Sequence, residues 1–261
     1  PTDGAGAVSD RNSFRDNQRF ITSATVSQSL STRVRGELSL TTSDIENRDD
    51  DRADSPSDTV GFYYYDALTK VSRRGADARM HFNLGPSSVL TIGGELVREA
   101  QTGNDSSNFS FERSNFDETR RNSAVYAQWL SEHGRLSITA GARYDDNSTF
   151  GAFNTARAGI AYRAWQGGTL RFTAGTAFKA PTFFESFNTA FSMGNPDLEP
   201  ERSRSWEAGV RQNWRQVTVA ASYFDQRFRD MIQFAFLDAQ IPNYFNVAAA
   251  TSRGLELEAT A

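Results

Sequence analysis

Hydrophobic and polar side chains alternate along most of this chain with a period of two. From Phe20 to Leu30 the even positions read Phe, Thr, Ala, Val, Gln, Leu, and the odd positions between them read Ile, Ser, Thr, Ser, Ser. That period marks a strand with one apolar face, whereas a helix would repeat every three to four residues. The pattern returns in Val34, Gly36, Leu38, Leu40; in Ala78, Met80, Phe82, Leu84; and in Leu90, Ile92, Gly94, Leu96. It is cleanest from Arg135 to Asp145, where Leu136, Ile138, Ala140, Ala142 and Tyr144 oppose Arg135, Ser137, Thr139, Arg143 and Asp145. Further runs cover Asn122 to Leu130, Asn154 to Ala164, Leu170 to Phe178, Ser203 to Gln212, Val217 to Phe236 and Tyr244 to Ala261.

The connectors fall into two kinds. Short polar turns lie near residues 30, 86, 133, 167 and 214, and stretches at 44–58, 101–120, 146–153 and 181–202 lack apolar periodicity and read as long loops. Thr59 to Lys70, with Phe62, Tyr63, Tyr64 and Tyr65, fits strand or loop. Tight turns at one end and elaborated loops at the other predict about eleven antiparallel strands in up-and-down order, as in outer-membrane barrels. A soluble sandwich would mix Greek-key crossings with the hairpins. Pro181, Pro196 and Pro200 cannot donate to a ladder, so the last long connector is expected to be an ordered loop. Trp206 and Trp214 are eight positions apart on one face. At about 3.4 Å per residue and a tilt of about 45°, they are separated by roughly 20 Å along the membrane normal, a spacing that suits one tryptophan per interface.

Composition narrows the choice without making it. The 261 residues carry a net charge of −4, which argues against a nucleic-acid partner. Without cysteine there are no disulfides or thiolate metal sites. The mean hydropathy of −0.57 suits a soluble protein and a β-barrel alike, since only every second barrel residue faces lipid. His81 and His133 sit in no hydrolase motif, so no catalytic constellation is identified, and no cofactor or metal site is assigned. The acids Asp49, Asp50, Asp51, Asp54 and Asp58 lack the spacing of a calcium loop and read as a solvated segment. Pro1 to Arg19 is polar and has no apolar core, so the chain is expected to begin after processing or within a longer gene product.

Four motifs in order carry a resemblance: FKAPT at Phe178 to Thr182, NPDLEPERSRSWEAGV at Asn195 to Val210, YFDQRFRDMIQF from Tyr223, and YFNVAAATSRGLELEA from Tyr244. Together they resemble the barrel of TonB-dependent outer-membrane receptors, above all the subgroup with cobalamin and siderophore receptors. In that family a barrel of 22 strands encloses a plug. The resemblance implies an all-β, antiparallel transmembrane barrel, partial and open, with about eleven of those strands in one domain truncated at both ends. It implies a Gram-negative outer-membrane location and import of a ferric siderophore, another metal chelate or cobalamin. Neither a plug nor a TonB box is visible, so the plug and the TonB complex enter as partners outside this chain. The alternative is a passive porin or another outer-membrane barrel; a soluble β-rich binding protein is the third reading.

Ligand contacts are expected from the long loops and the upper lumen. Phe183, Phe184, Phe187, Phe191 and Met193 form the densest apolar set outside a strand, though such residues commonly pack a loop on itself. Arg143, Arg157, Arg163, Arg171, Lys179 and Arg211 form a lumen-side basic set, with pairing to the plug, Asp145 or Glu207 as the alternative to anion capture. Glu199, Glu201 and Arg202 are placed to pair at the base of the NPDLEPE turn.

Overall fold

The computed structural model describes residues 12–57, 63–108, 110–189, 193–235, 242–247 and 249–261. Eleven strands form one antiparallel sheet in which nearly every strand pairs with its neighbour in sequence. They are β1 (Phe14–Ser29), β2 (Val34–Asp51), β3 (Tyr65–Gly85), β4 (Ser88–Ser107), β5 (Ser110–His133), β6 (Leu136–Asn147), β7 (Gly151–Trp165), β8 (Gly168–Lys179), β9 (Glu201–Asn213), β10 (Thr218–Arg229) and β13 (Ala250–Thr260). A five-residue helix, α1 (Phe183–Phe187), follows β8, and a two-stranded sheet of β11 (Met231–Phe234) and β12 (Tyr244–Val247) lies between β10 and β13. The sheet is open between β1 and β13.

Cross-strand register shows where the two faces point, because directly paired residues share a face. Val26 pairs with Leu38, Leu38 with Ala78, Met80 with Ile92, Val125 with Tyr144, Phe172 with Ala208, and Tyr223 with Leu255. One face is therefore apolar across all eleven strands, and it is exposed: Val26 is 69% accessible, Leu96 62%, Val125 62% and Leu257 74%. Leu170 and Phe172 are exposed too, and Leu136 and Ile138 only half-buried, so they form no enclosed centre. Among the described residues the six buried apolar side chains are outnumbered by ten buried polar ones, the reverse of a water-soluble domain. An exposed apolar surface of this extent requires an apolar surrounding.

Two expected features are corrected. The stretches 44–58 and 101–120 are largely strand: β2 runs on to Asp51, and β4 and β5 continue to a hairpin tip at Ser107 and Ser110. β5 has 24 residues, whereas about ten suffice to cross a bilayer, so half of it projects beyond the apolar belt. There water meets both faces, and the apolar alternation vanishes while the backbone ladder persists. The 146–153 connector is likewise a tight turn ending at Gly151, whose φ of 75° suits glycine. The run from Val217 to Phe236 is not one strand either. Asp230, with φ of 56°, turns the chain out of β10 into β11, and the Tyr244 to Ala261 run divides into β12 and β13. Phe62, Asp58, Phe191 and most of 238–242 lie outside the described residues.

Tryptophans mark the short-turn end. Trp129 Nε1 donates to Ser88 Oγ at 2.9 Å, Trp165 Nε1 donates to Gln212 Oε1 at 2.6 Å, and Trp214 stands exposed just beyond β9. Trp206, further up β9, lies between Phe172 and Tyr223 with ring centroids 6.3 and 5.6 Å away. An indole with its ring in apolar surroundings and its N–H satisfied by polar groups fits a membrane interface.

The two faces predict opposite tolerances in the complete gene product. Ile160→Arg, on the apolar face, should cost about 2–4 kcal/mol of folding into vesicles, while Thr173→Arg, beside Glu207 on the polar face, should cost less than about 1. Denaturant titration of the refolded protein measures both, and equal costs would contradict the assignment of faces.

Candidate functional site

The polar face bears a chain of ion pairs. Arg143 on β6 donates to Glu95 at 2.6 Å and to Asp145 at 2.8 Å. Arg79 reaches Glu37 at 2.7 Å, and Tyr126 Oη donates to Asp77 at 2.7 Å. Arg157 donates to Gln128 at 2.9 Å, Arg171 to Glu207 at 2.8 Å, and Lys179 to Glu201 at 3.1 Å. Arg163 donates to the Gly134 carbonyl. Half of the lumen-side basic set, Arg143, Arg171 and Lys179, is thus neutralised by a carboxylate on its own wall, whereas Arg157 and Arg163 donate to neutral groups. Arg143 borders two hollows along this face: one of about 480 Å³ with Asp77, Arg79 and Tyr126, and one of about 440 Å³ with Glu99, Arg120 and Phe178. Both linings mix carboxylates with guanidiniums. They suit a partner offering several polar groups, such as another protein surface, more than a single anion.

Above the second hollow, the residues after β8 form a ledge. Thr182 caps α1 in a reciprocal box: its hydroxyl accepts from Glu185 N at 3.1 Å and the Glu185 carboxylate accepts from Thr182 N at 2.7 Å. The ledge is tied to the wall by Arg120, which donates to the Pro181 carbonyl at 2.7 Å and to Glu99 at 2.6 Å. Its guanidinium also sits 4.5 Å from the centroid of the buried Phe183 ring. The β7–β8 ladder ends at Arg157 and Gly175, and beyond it Phe153 and Phe178 stack at 4.9 Å with Phe150 against them.

Asparagines latch the NPDLEPE turn to β11 and β12. Asn243, fully buried, accepts from Met193 N at 2.7 Å and donates to the Ala235 carbonyl at 3.2 Å. Asn246 accepts from Glu199 N at 2.8 Å and donates to the carbonyls of Glu199 at 2.8 Å and Asp230 at 2.7 Å. Asn195 donates to the Tyr244 carbonyl at 2.9 Å and accepts from Asp197 N at 3.0 Å. Leu198 and Pro200 are buried beneath. Gly194 is required where the chain doubles back, since a Cβ there would lie 2.6 Å from Phe187 N. Glu201 is held by Lys179 and accepts from Ile232 N at 3.0 Å, while Arg202 only approaches Glu199, at 4.0 Å.

Of the expected contact residues, Phe183 is buried in the ledge, Phe187 packs on it at 6.4 Å, and Phe184 meets Tyr244 edge-on at 6.3 Å. Phe184 and Met193 remain exposed. Arg143 lies near the ledge, whereas Arg171, on β8, lies lower, towards the short turns. Sequence reasoning missed Arg120, Asn195, Asn243 and Asn246. Asn243 and Asn246 flank Tyr244 and Phe245 in NYFNV, and that framing was the only local signal. Three acids of the 44–58 stretch are matched to arginines: Asp44 to Arg74 at 2.8 Å, Asp49 to Arg15, and buried Asp50 to Arg52 at 3.1 Å. Among the described residues no cluster of three or more His, Asp or Glu is placed to hold a metal ion.

A family described as TonB dependent receptor-like, beta-barrel matches residues 2–261. The vitamin B12 transporter BtuB of Vibrio vulnificus (strain YJ016) is 30% identical over 193 residues, covering 72% of this chain and 30% of the transporter. Among solved structures, the copper transporter OprC superposes with a TM-score of 0.76 at 16% identity, covering 96% of this chain and 44% of that one. The siderophore receptor PirA from Acinetobacter baumannii gives 0.69 at 16% identity, with coverages of 93% and 42%. At these identities the superpositions speak for the fold alone. The chain spans less than half the length of each of these relatives.

Two predictions follow from this geometry. Asn243→Ala should cost about 1–3 kcal/mol locally by stranding buried backbone groups, and limited proteolysis of the complete gene product should then cleave between residues 189 and 200 at least tenfold faster. Asp105, on β4 well beyond the belt, has its carboxyl pushed up by burial, and its Oδ1 finds no hydrogen-bond partner among the described residues. A carboxyl whose folded pKa exceeds its unfolded one favours the fold below the unfolded value and loses that contribution as pH rises through the folded value. Asp105→Asn should therefore raise the melting temperature near pH 7 and lose its advantage near pH 3, measured by scanning calorimetry.

Proposed function

Because the chain belongs to the TonB-dependent receptor-like β-barrel family, we propose that residues 1–261 form part of the wall of an outer-membrane receptor importing a scarce ligand. The ligand classes we favour are a ferric siderophore, another metal chelate and cobalamin, with energy supplied by TonB through a plug seated against the polar face. The observation that carries this reading is the continuous register of one exposed apolar face and one ion-paired polar face over eleven strands. Such a wall suits lipid outside and a polar occupant inside. The family is one of transport receptors, and in this reading energy reaches the wall through the plug.

In this reading the ledge stands at the mouth of the lumen. Exposed Phe184 and Met193 are positioned for ligand contact, while Phe183 and Phe187 hold the ledge in shape. Arg143, Arg171 and Lys179 keep the wall polar and charge-balanced towards the plug.

Uptake by the complete gene product, expressed in cells lacking their own receptors for cobalamin and ferric chelates, tests the proposal. We expect accumulation of one of these ligands at least tenfold above background, abolished when the proton-motive force is collapsed. Uptake that survives the collapse would instead identify a passive channel.

A further inference from the structure

Three arginines occupy one cross-strand row on the apolar side of the sheet. Arg74 on β3 pairs directly with Arg98 on β4, and Arg98 pairs directly with Arg121 on β5. Directly opposed like charges destabilise a sheet, so a row of three requires compensation. Elsewhere this protein supplies it by alternation: one position along, on the polar face, Arg73, Glu99 and Arg120 form the neighbouring row, with contacts of 3.3 and 2.6 Å. On the apolar side, only Arg74 has a carboxylate, Asp44, at 2.8 Å. Arg98 and Arg121 are exposed and have no acidic partner among the described residues.

The position of the row is as informative as its charge. Two residues towards the short turns, the same face carries Ala76, Leu96 and Ser123, and beyond them Met80, Ile92 and Ala127. Arg98 is ten positions from Ser88, where β4 leaves its short turn. At about 3.4 Å per residue and a tilt near 45°, that rises about 24 Å, close to the height of an apolar belt. The guanidiniums therefore stand at the belt edge remote from the short turns. Beyond Arg74 and Arg98 a groove of about 490 Å³, lined by Phe20, Asp44, Glu46, Lys70, Ser72 and Thr102, lies over β1 to β4.

We propose that Arg98 and Arg121, with Arg74 beside them, bind the phosphate groups of a membrane lipid whose acyl chains lie along the belt below. A guanidinium presents paired N–H donors that match phosphate oxygens, and adjacent strands about 4.8 Å apart let two arginines share one phosphate. The groove beyond the row gives the rest of the headgroup room. This inference rests on the membrane reading above, and it is independent of which ligand is imported.

The test uses the complete gene product in detergent, with a diphosphorylated glycolipid in mixed micelles as the probe. Lipid retained per protein after gel filtration should fall at least tenfold in the double variant Arg98→Gln/Arg121→Gln. It should fall by an intermediate factor in Arg98→Lys/Arg121→Lys, which keeps the charge but loses the paired donors, and change less than twofold in Arg33→Gln at the opposite interface. Circular dichroism checks that each variant keeps its strands. Wild-type retention by the glutamine variant, equal retention of the dephosphorylated glycolipid, or displacement of the lipid by equimolar inorganic phosphate would each overturn the proposal. Lipid retention without ligand uptake would count against the import reading alone, and uptake without phosphate-dependent retention against this one alone.

Discussion

The lateral backbone ladder is the constraint from which the other features follow. In hydrocarbon an unpaired amide or carbonyl costs several kcal/mol, so a chain that exposes apolar side chains outward must satisfy every backbone group sideways. Eleven strands laddered side by side do this from β1 to β13, apart from the two open edges. The ladder imposes the period of two, sets which residues share a face, and makes the hairpin the unit of construction. Its local interruption between β7 and β8, above Arg157 and Gly175, falls where the Phe150, Phe153 and Phe178 rings pack together.

With the backbone satisfied, side chains are free to differ by face. The outward face needs no packed partner within the protein, because lipid supplies the contacts that a soluble protein finds in its core. The inward face solves the opposite problem. Carboxylates and guanidiniums line it at close spacing, and many find a counterpart within two strands or two positions, as Arg143 does with Glu95 on β4 and Asp145 on its own strand. These pairs are partly solvated, so individually they stabilise little. Their larger effect is to hold the wall near neutrality and ordered. The arginine row on β3, β4 and β5 stands out because it departs from that rule.

The ledge and its latch show how irregular backbone is held at the end of a regular sheet. A segment with three prolines cannot join the ladder, so its amides and carbonyls are met one by one. The Thr182 box closes α1, Arg120 reaches across from β5, and Asn195, Asn243 and Asn246 stand in for missing strand partners. An asparagine amide offers a donor and an acceptor in one plane, as a peptide does, and can replace a peptide neighbour. The motifs that carry the resemblance, FKAPT and NPDLEPE, are thus largely architectural. They position Phe184 and Met193 while remaining shielded themselves.

The sequence by itself determined the strand class, the number of principal strands, the exposed identity of each face within the belt, and the family. Each of these is written in alternation or in short motifs that survive as strings. Only the tertiary structure decided how far the strands extend, because beyond the belt water wets both faces and alternation carries no information there; Asp44 to Asp51 and Gln101 to Ser107 look like loop and are ladder. It alone revealed the partner of each charge. Arg74, Arg98 and Arg121 are unremarkable as isolated letters 24 and 23 positions apart, and become one feature when antiparallel pairing brings them side by side. The same holds for Asn243 and Asn246, which lie about 50 residues from the turn they secure. Local pattern reports what each residue faces, whereas contact between distant residues depends on register, which the whole sheet sets at once.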